Sequence, residues 1–76
     1  MACCHEIALQ TVKEFVRRGK PFTYFELSQE ILKRGGCLRV APNYSILEYL
    51  QRLEYHGFVE CVGSHFVPTK KGGMLR

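Results

Sequence analysis

Glycine marks four stops along this chain, at Gly19, Gly35-Gly36, Gly57 and Gly63, and no stretch between them is long enough for an extended helical architecture. Glycine weakens helix and strand interiors but suits their ends, where the backbone must turn left-handed. The first three stops each follow a segment with helical periodicity. The last sits between two short apolar runs. The resulting order is helix, short strand, helix, helix, strand, strand. Helices this short are marginal alone, so each must bury one face against its neighbours.

The first helical segment runs from His5 to Arg18. Ala8, Leu9, Val12, Phe15 and Val16 share an arc, and Gln10, Glu14 and Arg17 lie opposite. Arg17 and Arg18 complement the negative end of the helix dipole. Ile7 falls outside the apolar arc, next to Cys3 and Thr11 on the wheel, with Cys4 flanking the same side. Pro21 favours extended backbone, which predicts a short strand over Lys20–Phe22. Thr23 and Glu26 fit a capping box at the start of the second helix, with Tyr24, Phe25, Ser28, Ile31 and Leu32 on its inner face. Lys33-Arg34-Gly35-Gly36 ends it.

After a connector, Pro42 suits the first turn of a third helix, predicted over residues 43–56. Its apolar stripe is Ile46, Leu47, Leu50 and Leu53. Tyr44, Ser45, Glu48, Arg52 and Tyr55 lie opposite, with Gln51 at the edge. Phe58–Val62 and His65–Pro68 then read as a hairpin around Gly63-Ser64, with glycine first as a type II′ turn prefers.

Seventy-six residues make one domain, 1–76, with a modest core. A hydrophobic content of 46% is too high for a disordered chain. The formal charge is +4 with no Asp, and the basic residues are spread along the chain, six against four acids up to residue 38 and five against three after it. A small basic domain leans towards a polyanionic partner. The start, "MACCHEIALQTVKEF", lacks the continuous apolar run of a secretory or membrane segment, so a cytoplasmic location is the default expectation.

Catalysis finds little support, because His5, His56 and His65 are scattered and no orienting carboxylate accompanies a Cys–His pair. The cysteines, Cys3, Cys4, Cys37 and Cys61, show no C-x₂-C spacing, so neither a metal nor another cofactor is expected. Cys37 and Cys61 read as packed thiols, with Cys61 facing the body of the domain.

The stretch from Thr23 to Gly72 resembles small winged-helix DNA-binding domains of the MarR/PadR kind. The likeness rests on the element order, on "LEYHGFVE" at the end of the third helix, and on the Thr-x-x-Gly segment in "FVPTKKG". In size and cysteine richness the chain is also similar to stand-alone winged-helix proteins of archaeal viruses, a source that would place it in the host cell cytoplasm. One departure is the link from Gly35 to Ala41, longer than the usual three or four residues.

The resemblance implies an α+β winged helix-turn-helix, with three helices, a short strand and a C-terminal β-hairpin wing. It implies a transcriptional regulator binding double-stranded DNA, its third helix (about 43–56) in the major groove and its wing (about 58–71) on the backbone. The residue chemistry fits that reading. Asn43, Tyr44, Ser45, Glu48 and Arg52 carry the hydrogen-bonding groups that read base edges, and Lys70 and Lys71 would meet phosphates. A protein–protein interaction module on the same fold is the alternative. Paired half-sites imply a homodimer. The candidate interface is Cys3, Cys4, Ile7 and Thr11, where Cys3 or Cys4 could form a disulfide with its two-fold copy.

Overall fold

The computed structural model describes residues 3–75. Its elements are α1 (Cys4–Arg17), β1 (Phe22–Thr23), α2 (Tyr24–Lys33), β2 (Arg39–Ala41), β3 (Tyr44–Ser45), α3 (Ile46–Tyr55), β4 (Val59–Val62), β5 (His65–Pro68) and a 3₁₀ helix (Lys70–Met74). The fold is α+β. Its main sheet is antiparallel in the order β1-β5-β4, and β2 and β3 form a separate two-stranded sheet. No helix among the described residues is long and apolar enough to cross a membrane.

Local signals set most helix ends. At α2 the Thr23 hydroxyl accepts from the Glu26 N–H and the Glu26 carboxylate accepts from the Thr23 N–H, closing the expected capping box. The same helix closes with a Schellman motif. Gly36 N–H donates to the Ile31 carbonyl at 2.9 Å and Gly35 N–H to Leu32 at 3.1 Å, with Gly35 at φ 85°. α3 closes alike through Gly57 and Phe58, whose N–H groups donate to Glu54 and Leu53.

The core gathers Ala8, Val12, Phe15 and Val16 of α1, Leu27 and Ile31 of α2, and Ile46, Leu50 and Leu53 of α3. Three aromatics tie the sheet to α1. Phe22 meets Phe15 edge-on at 5.4 Å and stacks on Phe66, its register partner across β1 and β5, at 5.7 Å. Such pairs add about 0.5–1.5 kcal/mol each beyond the area they bury.

Several sequence expectations are corrected here. The early strand is Phe22–Thr23 and not Lys20–Phe22. The buried face of α2 centres on Leu27, Ser28 and Ile31, while Phe25 is 69% and Leu32 52% exposed. The predicted face differs because the apolar arc of this helix is wide, from Leu27 through Ile31 and Tyr24 to Leu32 and Phe25, and only its Leu27 side packs inward. Leu47 is likewise exposed on α3.

The largest correction concerns the third helix. Its N-cap is Ser45, whose hydroxyl accepts from the Glu48 N–H, so Asn43 and Tyr44 precede the helix. Pro42 and Asn43 instead form the turn between β2 and β3, where Ala41 pairs with Tyr44. Asn43 lacks the positive φ of a primed hairpin turn. Such a turn splays its strands, and the register duly shifts between Arg39 and Ala41. At the other hairpin Gly63 has φ 62° and Ser64 has no positive φ, which fits the predicted type II′ turn.

An ion network joins the C-terminal ends of α1 and α2. The Arg34 guanidinium donates to Glu14 at 2.8 and 3.2 Å and to Glu30 at 2.8 Å, and Arg18 meets Glu14 at 2.6 Å. The hydrogen bonds from Arg34 and then Arg18 hold the Glu14 carboxyl down to about 2, against an ordinary 4.5. A lowered carboxyl pKa stabilises the fold above the unfolded value, and that contribution is lost as protons return.

Two outcomes follow. Leu50 is fully buried, so Leu50→Ala should cost about 2–5 kcal/mol in chemical denaturation. An unchanged midpoint would place α3's inner face elsewhere. Stability should also fall as pH drops from about 4.5 towards 2, and the fall should shrink in Glu14→Gln. Because these side chains are substantially exposed, the effect should be modest and weaker in high salt. A Glu14→Gln acid profile identical to the parent's would remove the network from the account.

Candidate functional surface along the third helix

α3 is held at both ends, and this fixes the direction of its outer face. At its start the Ile46 N–H donates to the Leu38 carbonyl at 3.2 Å. At its end the Thr69 hydroxyl donates to the carbonyls of Gly57 at 2.6 Å and Phe58 at 3.1 Å. Gly72 packs so closely there that a Cβ would stand 2.7 Å from the Phe58 carbonyl oxygen and 3.0 Å from a Val16 methyl. The Thr-x-x-Gly segment is therefore a clamp between the base of the hairpin, α3 and α1.

The outer face forms an open groove of about 430 Å³ lined by Tyr44, Glu48, Gln51, Arg52 and Tyr55. A second depression of about 250 Å³ continues it through Arg39, Pro42, Asn43 and Ser45, sharing Tyr44 and Glu48. Glu48, Gln51, Arg52, Tyr55 and Asn43 make no side-chain hydrogen bond among the described residues. Tyr55 is 86% exposed, and the buried Tyr44 hydroxyl has no partner. Tyr49 packs edge-on against Tyr44 and borders the core, and burial pushes its phenol above the ordinary range.

Tyr44, Ser45, Glu48 and Arg52 thus lie on one continuous surface, although only Glu48 and Arg52 stand on the helix itself. Asn43 reaches the same surface from the hairpin turn. Ser45 is committed to capping. Arg39 was not among the sequence candidates. Its side chain donates to the Pro42 carbonyl at 3.3 Å and lines the groove, and only the unforeseen β2–β3 hairpin brings it there.

Lys70 and Lys71 do not lie on the β4–β5 hairpin. They open the 3₁₀ helix at the C-terminal end of α3. Lys71 donates to the His56 carbonyl at 2.8 Å and lies 4.9 Å over the Phe58 ring, so its charge serves the helix end. Lys70 is exposed. The β4–β5 hairpin carries no Lys or Arg, and Glu60 and His65 are its titratable residues besides Cys61. Cys61 is exposed, contrary to expectation, because β4 is an edge strand. Its N–H, unpaired in the sheet, donates to the Glu54 carboxylate at 3.2 Å.

The four residues expected at a two-fold interface separate. Thr11 is 1% exposed and donates its hydroxyl to the Ile7 carbonyl, so a second copy cannot reach it. Ile7 is half-buried against the connector, where a Cβ on Gly36 would meet its methyl at 2.9 Å. Cys3 and Cys4 remain on the surface. The Cys4 thiol is pushed above its ordinary range, first by a hydrogen bond with Cys37 and then by desolvation.

No family model, curated protein or solved structure matches this chain.

Because Thr69 orients α3, Thr69→Val should cost about 1–3 kcal/mol by removing a donor to two carbonyls at the helix end. Denaturation curves superimposable on the parent's would show the clamp to be dispensable.

Proposed function

We propose that this chain is a winged-helix protein that binds double-stranded DNA and acts in transcriptional control, with the start of α3 and the adjoining β2–β3 turn facing the major groove. The observation that carries this reading is the row of uncommitted hydrogen-bonding side chains, Asn43, Glu48, Gln51, Arg52 and Tyr55, on one rigidly held face. Arg can take guanine, Asn or Gln adenine, and Glu the cytosine amine. The three-stranded sheet supports the reading, since β1 pairs with β5, the second strand of the C-terminal hairpin. Arg39, beside the groove, takes the phosphate-contacting role that the sequence had given to Lys71. α3 has only ten residues, so one chain covers one half-site and a second copy the other. With Thr11 buried and Ile7 covered, a crosslink between copies would fall to Cys3 or Cys4, both on the surface.

The interaction-module reading keeps one observation in its favour, a hairpin with no Lys or Arg and with Glu60 and Val62 exposed. Binding isotherms on random-sequence and selected duplexes at two salt concentrations separate the two. Arg52→Ala or Asn43→Ala should weaken the selected site by about 1–3 kcal/mol, and Arg39→Ala should weaken all duplexes and lower the salt slope by about 1. A parent that binds no duplex at low salt would leave the interaction module standing.

A further inference from the structure

The sequence gives no metal-ligand spacing, yet the fold assembles a ligand set. Cys4 and His5 open α1, and Cys37 lies in the connector between α2 and β2, over thirty positions away. The connector docks on the start of α1, where the Cys37 N–H donates to the Cys4 carbonyl at 3.4 Å. The donor atoms of Cys4, His5 and Cys37 then lie within 4.8 Å of one another. We propose that these three residues form a zinc site, with the fourth coordination position facing solvent.

Two thiolates and an imidazole are a soft donor set that suits zinc and discriminates against magnesium and calcium. Zinc–sulfur bonds of about 2.3 Å in a tetrahedron would bring the two sulfurs to about 3.8 Å, so the site needs only a small contraction. Cys4 is exposed and the other two are half-buried, which leaves the metal a way in. The Cys37 thiol donates to the Arg39 carbonyl at 3.5 Å, a bond that is given up when the thiol loses its proton to bind metal. None of the three ligands lines the α3 groove, and the proposal stands independently of DNA binding. Bound zinc would fasten the start of α1 to the segment that leads into the β2–β3 hairpin. It would also withdraw Cys4 from any crosslink between copies.

The same thiol pair could instead close as an intrachain disulfide, so the test begins with fully reduced protein under argon. Cobalt(II) is added as a spectroscopic stand-in for zinc. One equivalent should give tetrahedral d–d bands and a sulfur-to-cobalt charge-transfer band, and zinc should displace both. Cys4→Ser and Cys37→Ser should each lose at least half of the charge-transfer intensity and bind cobalt at least tenfold more weakly. Circular dichroism confirms that each variant is folded, and Cys61→Ser serves as the unaffected control. In parallel, zinc should raise the parent's melting temperature and protect two thiols from air oxidation. No charge-transfer band in the reduced parent overturns the site, as does a band undiminished in Cys37→Ser. A Cys4–Cys37 disulfide that forms equally fast with zinc present also overturns it.

Discussion

The structure depends on how closely the segment after α2 approaches α1. Gly36 allows that approach, because a Cβ there would stand 2.8 Å from an Ile31 methyl and 2.9 Å from an Ile7 methyl. Nothing larger fits without moving one of two packed helices. From this contact the connector runs along the side of α1 that the helical wheel had left for solvent or a second chain. It packs on Ile7 and brings Cys37 to Cys4. It then enters β2, whose hairpin delivers Arg39, Asn43 and Tyr44 to the start of α3.

The other end of α3 is governed by a second close contact. Lys71 satisfies the carbonyl of His56, the C-cap of α3, and Thr69 satisfies those of Gly57 and Phe58 just beyond it. Gly72 then fits where α1 and the α3 terminus nearly touch. Held from both sides, α3 presents its outer face in one orientation, and that face offers polar groups that the rest of the chain does not use. A recognition surface needs both properties, since groups free to bind but poorly oriented lose affinity to ordering entropy.

What could be read from the sequence was local. Thr23 with Glu26, the glycines after each helix and the Gly63-Ser64 turn act within four or five residues, and each appears where their chemistry places it. Pro42 is ambiguous for a physical reason, since its fixed φ serves equally well at the first turn of a helix and inside a tight turn. What chose the turn was Ser45, a better N-cap with Glu48 N–H in reach, together with the pairing of β2 with β3. The burial of Thr11, the exposure of Cys61 and the meeting of Cys4, His5 and Cys37 depend on long-range packing that periodicity cannot carry. The unusual length of the Gly35–Ala41 link was the visible sign that something else filled that space.

The distribution of charge changes how the net +4 bears on a partner. Arg18 and Arg34 are matched by Glu14 and Glu30, so that network is itself neutral, two charges against two. Glu26 closes the α2 capping box by accepting from the Thr23 N–H, which sets a negative charge at the start of that helix, and Glu54 holds the edge of β4. Along the α3 groove, Arg39 and Arg52 face Glu48, an excess of one positive charge. A surface so nearly balanced cannot bind a polyanion by field strength alone, since each phosphate neutralised requires its own cation. On the proposed reading, affinity there rests on hydrogen bonds to groups placed correctly along the face, and such bonds discriminate between partners where a uniform basic patch does not.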